Sequence, residues 1–236
     1  MIDYPLLERH TDEIGNRKYI IPNGKRLPSV TTILSNSGDK TFLENWKNWV
    51  GHDKAEDIRN EAGKIGTLMH EHLEAYIEQR ERPTANTYAR KLVKNMSEQI
   101  IANGLSKVDE VWGIEKALYS SLGWAGTADL IGTYQGIPSI MDYKNTRKLK
   151  TKSDELITPE NKLGEYYCQL TAYIISHNEM FPDKKIRQGV IFMVDRELNF
   201  ETYVLREDLL EFWNDVWLTR VAEYYSKNPE LIELLD

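Results

Sequence analysis

The chain has 236 residues, 41% hydrophobic and 28% charged, with a formal net charge of −7. That length and balance exclude a disordered segment and suit one domain with a full core. Cys168 is the only cysteine, which excludes an internal disulfide, a four-cysteine zinc site and an iron–sulfur cluster; any metal must sit on oxygen and imidazole ligands.

The opening residues Met1-Ile2-Asp3-Tyr4-Pro5 read as neither a secretory signal nor an Arg-rich transit peptide. No stretch approaches the roughly 18 apolar residues of a membrane span. The expectation is a cytosol-like compartment.

Residues 19–34 read as extended: Tyr19-Ile20-Ile21, a Pro22-Asn23-Gly24 turn, then Val30-Thr31-Thr32-Ile33-Leu34. Residues 41–50 suit a helix, with Phe42, Leu43, Trp46, Trp49 and Val50 near helical spacing. The clearest amphipathic helix is 62–80, where Ile65, Leu68, Met69, Leu73, Tyr76 and Ile77 form one stripe. A third helix is expected from Tyr88 to Ile101, with Gly104 as its C-terminal cap.

The period then changes. Val111 to Leu118, Trp124 to Thr133 and Ile137 to Tyr143 read as strands. A polar, basic loop runs from Asn145 to about Asn161, followed by a helix from Leu163 to Met180. Gly189 to Val194 and Phe200 to Leu205 are two further strands, and an amphipathic helix closes the chain. This order predicts an α/β fold around a mixed sheet.

Gln135 and Gly136 at a hairpin turn would set Tyr134 against Ile137. Counting outward, Asp129 lands opposite Asp142. Directly opposed Cβ atoms lie about 5 Å apart, and like charges so placed are destabilising unless compensated. A divalent cation would compensate them, since hard cations prefer oxygen ligands. Lys144 shares the face of Asp142, because side chains alternate along a strand. An acidic pair beside a lysine suits phosphodiester hydrolysis. An Asp-x-Lys triplet alone carries almost no information. The apolar run Ile137 to Met141 adds to it, because it places these charges at the end of a central strand.

Four ordered elements together carry a more specific signal: Gly66-Thr67-Leu68-Met69-His70, Gly126-Thr127-Ala128-Asp129, Asp142-Tyr143-Lys144 and Gln169-Leu170-Thr171-Ala172-Tyr173. In these elements the chain resembles the PD-(D/E)xK nucleases, specifically their RecB-like exonuclease branch. The likeness extends to Pro28–Leu34, Leu43–Lys47 and Trp213–Tyr225 in organellar and phage-encoded members, and so covers most of the chain. Related nucleases carry four cysteines for a cluster that this chain cannot hold.

The resemblance implies a restriction-endonuclease-like core at about 62–206 within one nuclease domain, 1–236. It implies Mg²⁺ or Mn²⁺ held by His70, Asp129 and Asp142, with the Tyr143 carbonyl as a fourth ligand and Glu115 helping to hold a second metal. Lys144 would be the catalytic lysine, with Gln169 and Tyr173 supporting the site or touching the scissile strand. The implied activity is exonucleolytic hydrolysis of DNA, single-stranded DNA favoured, by a phage-type enzyme of the host cytoplasm. Helical extensions at both ends of the core could form a passage for a strand.

Arg147, Lys148 and Lys150 belong to a basic run, 144–152, expected to face phosphates despite the net negative charge. The alternative reading of such a run is a solvated loop. His72 lies inside the apolar stripe and is expected in the core, whereas His70 lies at its margin, within reach of a cleft. Trp46, Trp49, Trp213 and Trp217 could stack on bases, but at helical spacing they are expected to be core. No nucleotide-binding fingerprint is present. The rival functions are an endonuclease or junction resolvase on the same fold, and a non-catalytic nucleic-acid-binding module.

Overall fold

Helical and alternating periods segregate along the chain, and the elements follow them. The computed structural model describes residues 2–149 and 161–234. Three short strands, β1 (Glu8–Thr11), β2 (Arg17–Ile20) and β3 (Arg26–Pro28), form an antiparallel sheet. Helices α1 (Val30–Asn36), α2 (Thr41–Val50), α3 (His52–Ile77) and α4 (Tyr88–Asn103) follow. Then come β4 (Val108–Ser120), β5 (Trp124–Tyr134), β6 (Ile137–Thr146), α5 (Lys162–Met180), β7 (Gln188–Asp195), β8 (Phe200–Arg206) and α6 (Asp208–Lys227).

The five later strands make one mixed sheet in the order β4-β5-β6-β7-β8. Only β6 and β7 run parallel, and α5 lies in the crossover that a parallel pair requires. One face carries α3 and α4, whose Met69, Leu73, Val93, Met96 and Ile100 pack on Leu130, Met141, Val190 and Phe192. The other carries α1, α5 and α6, with Ile33, Leu170, Trp213 and Trp217 against Ile131, Ile140, Ile191 and Leu205. Every residue of β7 is buried, as a central strand covered on both faces demands. The fold is thus the expected α/β arrangement of a mixed sheet flanked by helices. No helix among the described residues is long and apolar enough to cross a membrane.

The β5–β6 hairpin turns at Gln135 and Gly136, with φ of 51° and 77°, the left-handed pair that matches strand twist in two-residue turns. Its ladder runs from Tyr134↔Ile137 to Leu130↔Met141, the pair just inside Asp129 and Asp142. There the strands part. β6 continues along β7 to Thr146↔Asp195, while Ser29 bridges to Ala125 of β5. The small sheet therefore fills the fork, packing Tyr19, Ile21 and Leu27 against Ala125.

Three expectations are corrected. Val30–Leu34 is helical: the Ser29 side chain caps it by accepting the Thr32 N–H, and Val30, Ile33 and Leu34 are buried on the sheet. The amphipathic helix expected over 62–80 is α3, which starts at His52, ten residues early, because nothing in that stretch breaks it. Gly104 caps α4 as expected, with φ −108°; a methyl group there would stand 2.9 Å from both the Ile100 carbonyl oxygen and Phe192. Trp213 and Trp217 are core, but Trp46 is half-buried and Trp49 is 84% exposed, because α2 packs on little besides α3.

Candidate active site at the fork of the sheet

Three elements converge on the α3 side of the fork. His70 of α3, Glu115 of β4 and Asp129 of β5 bring one donor atom each within 4.8 Å of one another. His70 Nδ1 lies 3.7 Å from Glu115 Oε1 and 3.6 Å from Asp129 Oδ2. His70 Nε2 is 3.1 Å from the Tyr143 carbonyl oxygen. A carbonyl only accepts, so this bond puts the proton on Nε2 and leaves Nδ1 of the neutral ring as the donor atom toward the carboxylates.

Asp129 is fixed by the Tyr143 N–H, which donates to Oδ2 at 3.0 Å where the β5–β6 ladder has ended. Glu115 lies between the pairs Ile114↔Leu130 and Lys116↔Ala128, opposite Asp129. Its φ is +49°, a left-handed conformation that costs roughly 1 kcal/mol or more in a non-glycine residue and clusters at functional sites. Two carboxylates and an imidazole nitrogen fit a divalent cation.

Burial works to lower the His70 pKa, but the Asp129 charge and a hydrogen bond that the protonated ring donates to Glu115 outweigh it and raise the group from 6.5 to about 9. Asp142, on the neighbouring strand β6, is 2% exposed and forms an ion pair with Lys144. Burial pushes the Asp142 carboxyl up against the opposing pull of Lys144. For Lys144, burial is outweighed by the charges of Asp142 and Asp129, which raise its pKa and keep the ammonium protonated.

The α5 face completes the surroundings. Gln169 Nε2 donates to Asp142 Oδ1 at 3.4 Å and to the Tyr173 hydroxyl at 3.2 Å. The Tyr173 ring occupies the space that a side chain at 126 would take: a methyl group on Gly126 would stand 2.6 Å from Tyr173 Cε1. The glycine of the Gly-x-x-Asp element and the tyrosine of the QxxxY element are thus two halves of one contact. Lys144 Nζ sits 4.8 Å from the centroid of the Tyr166 ring.

Of the sequence-predicted residues, the structure clusters His70, Glu115 and Asp129, and beside them pairs Asp142 with Lys144 and Gln169. The Tyr143 carbonyl orients His70. Arg147 pairs with Glu61 at 3.5 Å, and Lys148 lines a small cavity with Lys162 and Tyr166. Lys150 lies outside the described residues. His72 is buried in the stripe, as expected. Sequence reading missed Tyr166, although it lies three and seven residues before Gln169 and Tyr173 on one helical face. It also missed Arg9 and Arg17, which line the open cleft of about 460 Å³ above His70, Asp129 and Lys144.

An acidic cluster and a lysine thus stand at the parting of a mixed sheet, between a histidine-bearing helix and a QxxxY helix, and the chain resembles the PD-(D/E)xK nucleases. In sequence it is similar to mitochondrial genome maintenance exonuclease 1 of Mus musculus, 24% identical over 233 residues, and to that of Homo sapiens, 25% identical over 213. These alignments cover 94% and 85% of the chain but only 66% and 59% of the two relatives. A crystal structure of a Eubacterium rectale protein assigned as an exonuclease superposes with a TM-score of 0.49 and 11% identity, over 74% of this chain and 67% of that one. No family model matches the chain.

Proposed function

We propose that the chain is a Mg²⁺- or Mn²⁺-dependent deoxyribonuclease that removes nucleotides from DNA ends, single-stranded ends preferred. The observation that carries this reading is the convergence of His70, Glu115 and Asp129 beside the Asp142–Lys144 pair. The name of the aligned relatives supports the exonucleolytic mode.

In this reading His70, Glu115 and Asp129 hold the cation, and Asp142 adds its carboxylate from the other arm of the fork. When bound, a divalent cation supplies Lewis acidity toward a phosphoryl oxygen and a nucleophile at neutral pH. The protein's own groups do the positioning. The Tyr143 carbonyl fixes the His70 tautomer, and its N–H fixes Asp129. Lys144, kept protonated by Asp142 and steadied over Tyr166, offsets charge that grows on the phosphoryl group as water attacks and the bond to the leaving sugar oxygen breaks. Gln169 and Tyr173 hold Asp142 in register with α5.

The test compares end-labelled linear single-stranded DNA with its circular counterpart, each with Mg²⁺ or Mn²⁺, for the unaltered chain and Lys144→Ala. Loss of the linear substrate alone, abolished by the substitution, is expected. Cutting of circles would reassign the chain to the endonucleases. Binding without cleavage under either metal would make it a nucleic-acid-binding module.

A further inference from the structure

The small N-terminal sheet does more than fill the fork. Arg9 lies opposite Tyr19 in the β1–β2 ladder, and Arg17 lies two residues before Tyr19 on β2. Strand alternation therefore puts Arg9, Arg17 and Tyr19 on one face. That face is tied to the site: the Tyr19 hydroxyl hydrogen-bonds Thr127 Oγ1 at 3.1 Å, two residues from Asp129. All three side chains line the cleft that holds His70, Glu115, Asp129 and Lys144.

The base of Arg17 is rigid and its head is free. Its N–H donates to Thr32 Oγ1 at 2.8 Å, and its carbonyl accepts from Ser29 N at 2.8 Å and from Thr32 Oγ1 at 3.2 Å. Among the described residues, neither the Arg9 nor the Arg17 guanidinium has a hydrogen-bond or ion-pair partner, although Glu71 and Glu74 line the same cleft. Glu74 pairs instead with Arg80, at 3.2 Å. The cleft thus has an acidic wall on α3 and a cationic wall on β1–β2. A guanidinium presents a planar fork of donors matched to phosphate oxygens. Neither arginine ion-pairs with Glu115 or Asp129, so both guanidinium groups can meet an anion that enters the cleft.

We propose that Arg9 and Arg17 form a phosphate-binding subsite that grips the backbone of a nucleic-acid strand next to the phosphate being cut. This rests on the nuclease reading and extends it to residues outside all four sequence elements. The subsite sets affinity and register on the strand, and its two contacts are sequence-independent.

The experiment measures binding of a labelled single-stranded oligonucleotide in EDTA by fluorescence anisotropy, across 50–200 mM salt. Each phosphate contact on a single strand contributes about 0.7 to the slope of log affinity against log salt. Arg9→Ala/Arg17→Ala is expected to flatten that slope by about 1.4 and to weaken binding about tenfold or more at the lowest salt. In the cleavage assay the KM for the oligonucleotide should rise in step. Arg9→Lys/Arg17→Lys keeps the charge and should keep most of the slope, and an unchanged Mn²⁺ affinity in both variants shows that the cation site is intact. An unchanged slope in the alanine variant, with the unaltered chain binding and cutting normally, overturns the subsite and leaves the nuclease reading standing. An unaltered chain that neither binds nor cuts the oligonucleotide overturns both.

Discussion

Lys144 and Asp142 are each other's justification. The lysine side chain is 16% exposed and the aspartate 3%, so removing one partner strands a buried charge. Breaking such a pair typically costs about 3–5 kcal/mol. Lys144→Ala is therefore expected to lower the melting temperature as well as to remove cleavage by a factor on the order of 10²–10³. Adding Asp142→Asn should restore much of the stability and none of the activity. If calorimetry shows the double variant melting no higher than Lys144→Ala alone, the pair is not what Lys144 contributes to the fold. His70 carries the pH dependence. Its pKa is raised from 6.5 to about 9 in the metal-free chain. Its protonated form thus contributes stability that is fully present below pH 6.5 and lost as pH rises through 9. The cation must displace that proton, so Mn²⁺ affinity should climb between pH 7 and 9. Titration calorimetry in two buffers of different ionisation enthalpy should detect the released proton at pH 7. A proton count of zero would remove the imidazole from the ligand set.

At the level of elements, the β5–β6 hairpin and α5 explain why the site was legible. The count outward from Gln135-Gly136 needs only the two-residue period, and it puts Asp129 and Asp142 just beyond the last pair, Leu130↔Met141. The contact of Gly126 with Tyr173 could not be counted, since it joins two elements. A Gly126→Ala substitution should push the Tyr173 ring and with it Gln169, costing about 1–3 kcal/mol and a large part of the activity. Urea denaturation and a cleavage assay on the same preparation would check both. Other elements resisted reading for physical reasons. Val30-Thr31-Thr32-Ile33 has strand propensity, but a serine cap and burial against the sheet make it α1. Ser29→Ala is expected to cost about 1 kcal/mol, the usual worth of an N-cap. Strand β1, Glu8-Arg9-His10-Thr11, is exposed throughout and has no apolar alternation, so pattern alone could not find it or the arginine it presents.

For the whole molecule, the net charge of −7 is compatible with the proposed phosphate-binding role because charge is distributed by wall and not by sum. The same distribution would make a bound cation a structural cross-link. Its donors come from α3, β4 and β5, and Asp129 reaches β6 through the Tyr143 N–H. A ligand that binds only where these four elements meet stabilises the folded state by mass action, about 2.7 kcal/mol at a hundred times its dissociation constant. For a chain of this length that corresponds to a rise in melting temperature of roughly 5–10 °C. Saturating Mn²⁺ should produce that rise and EDTA should reverse it. Asp129→Asn keeps an oxygen to accept the Tyr143 N–H but loses the charge, so it should stay folded and lose the shift. A variant that kept the full shift would place the cation elsewhere. Since the donors of His70, Glu115 and Asp129 form the only such group among the described residues, the fork would then have to act on phosphate through its cationic side chains alone.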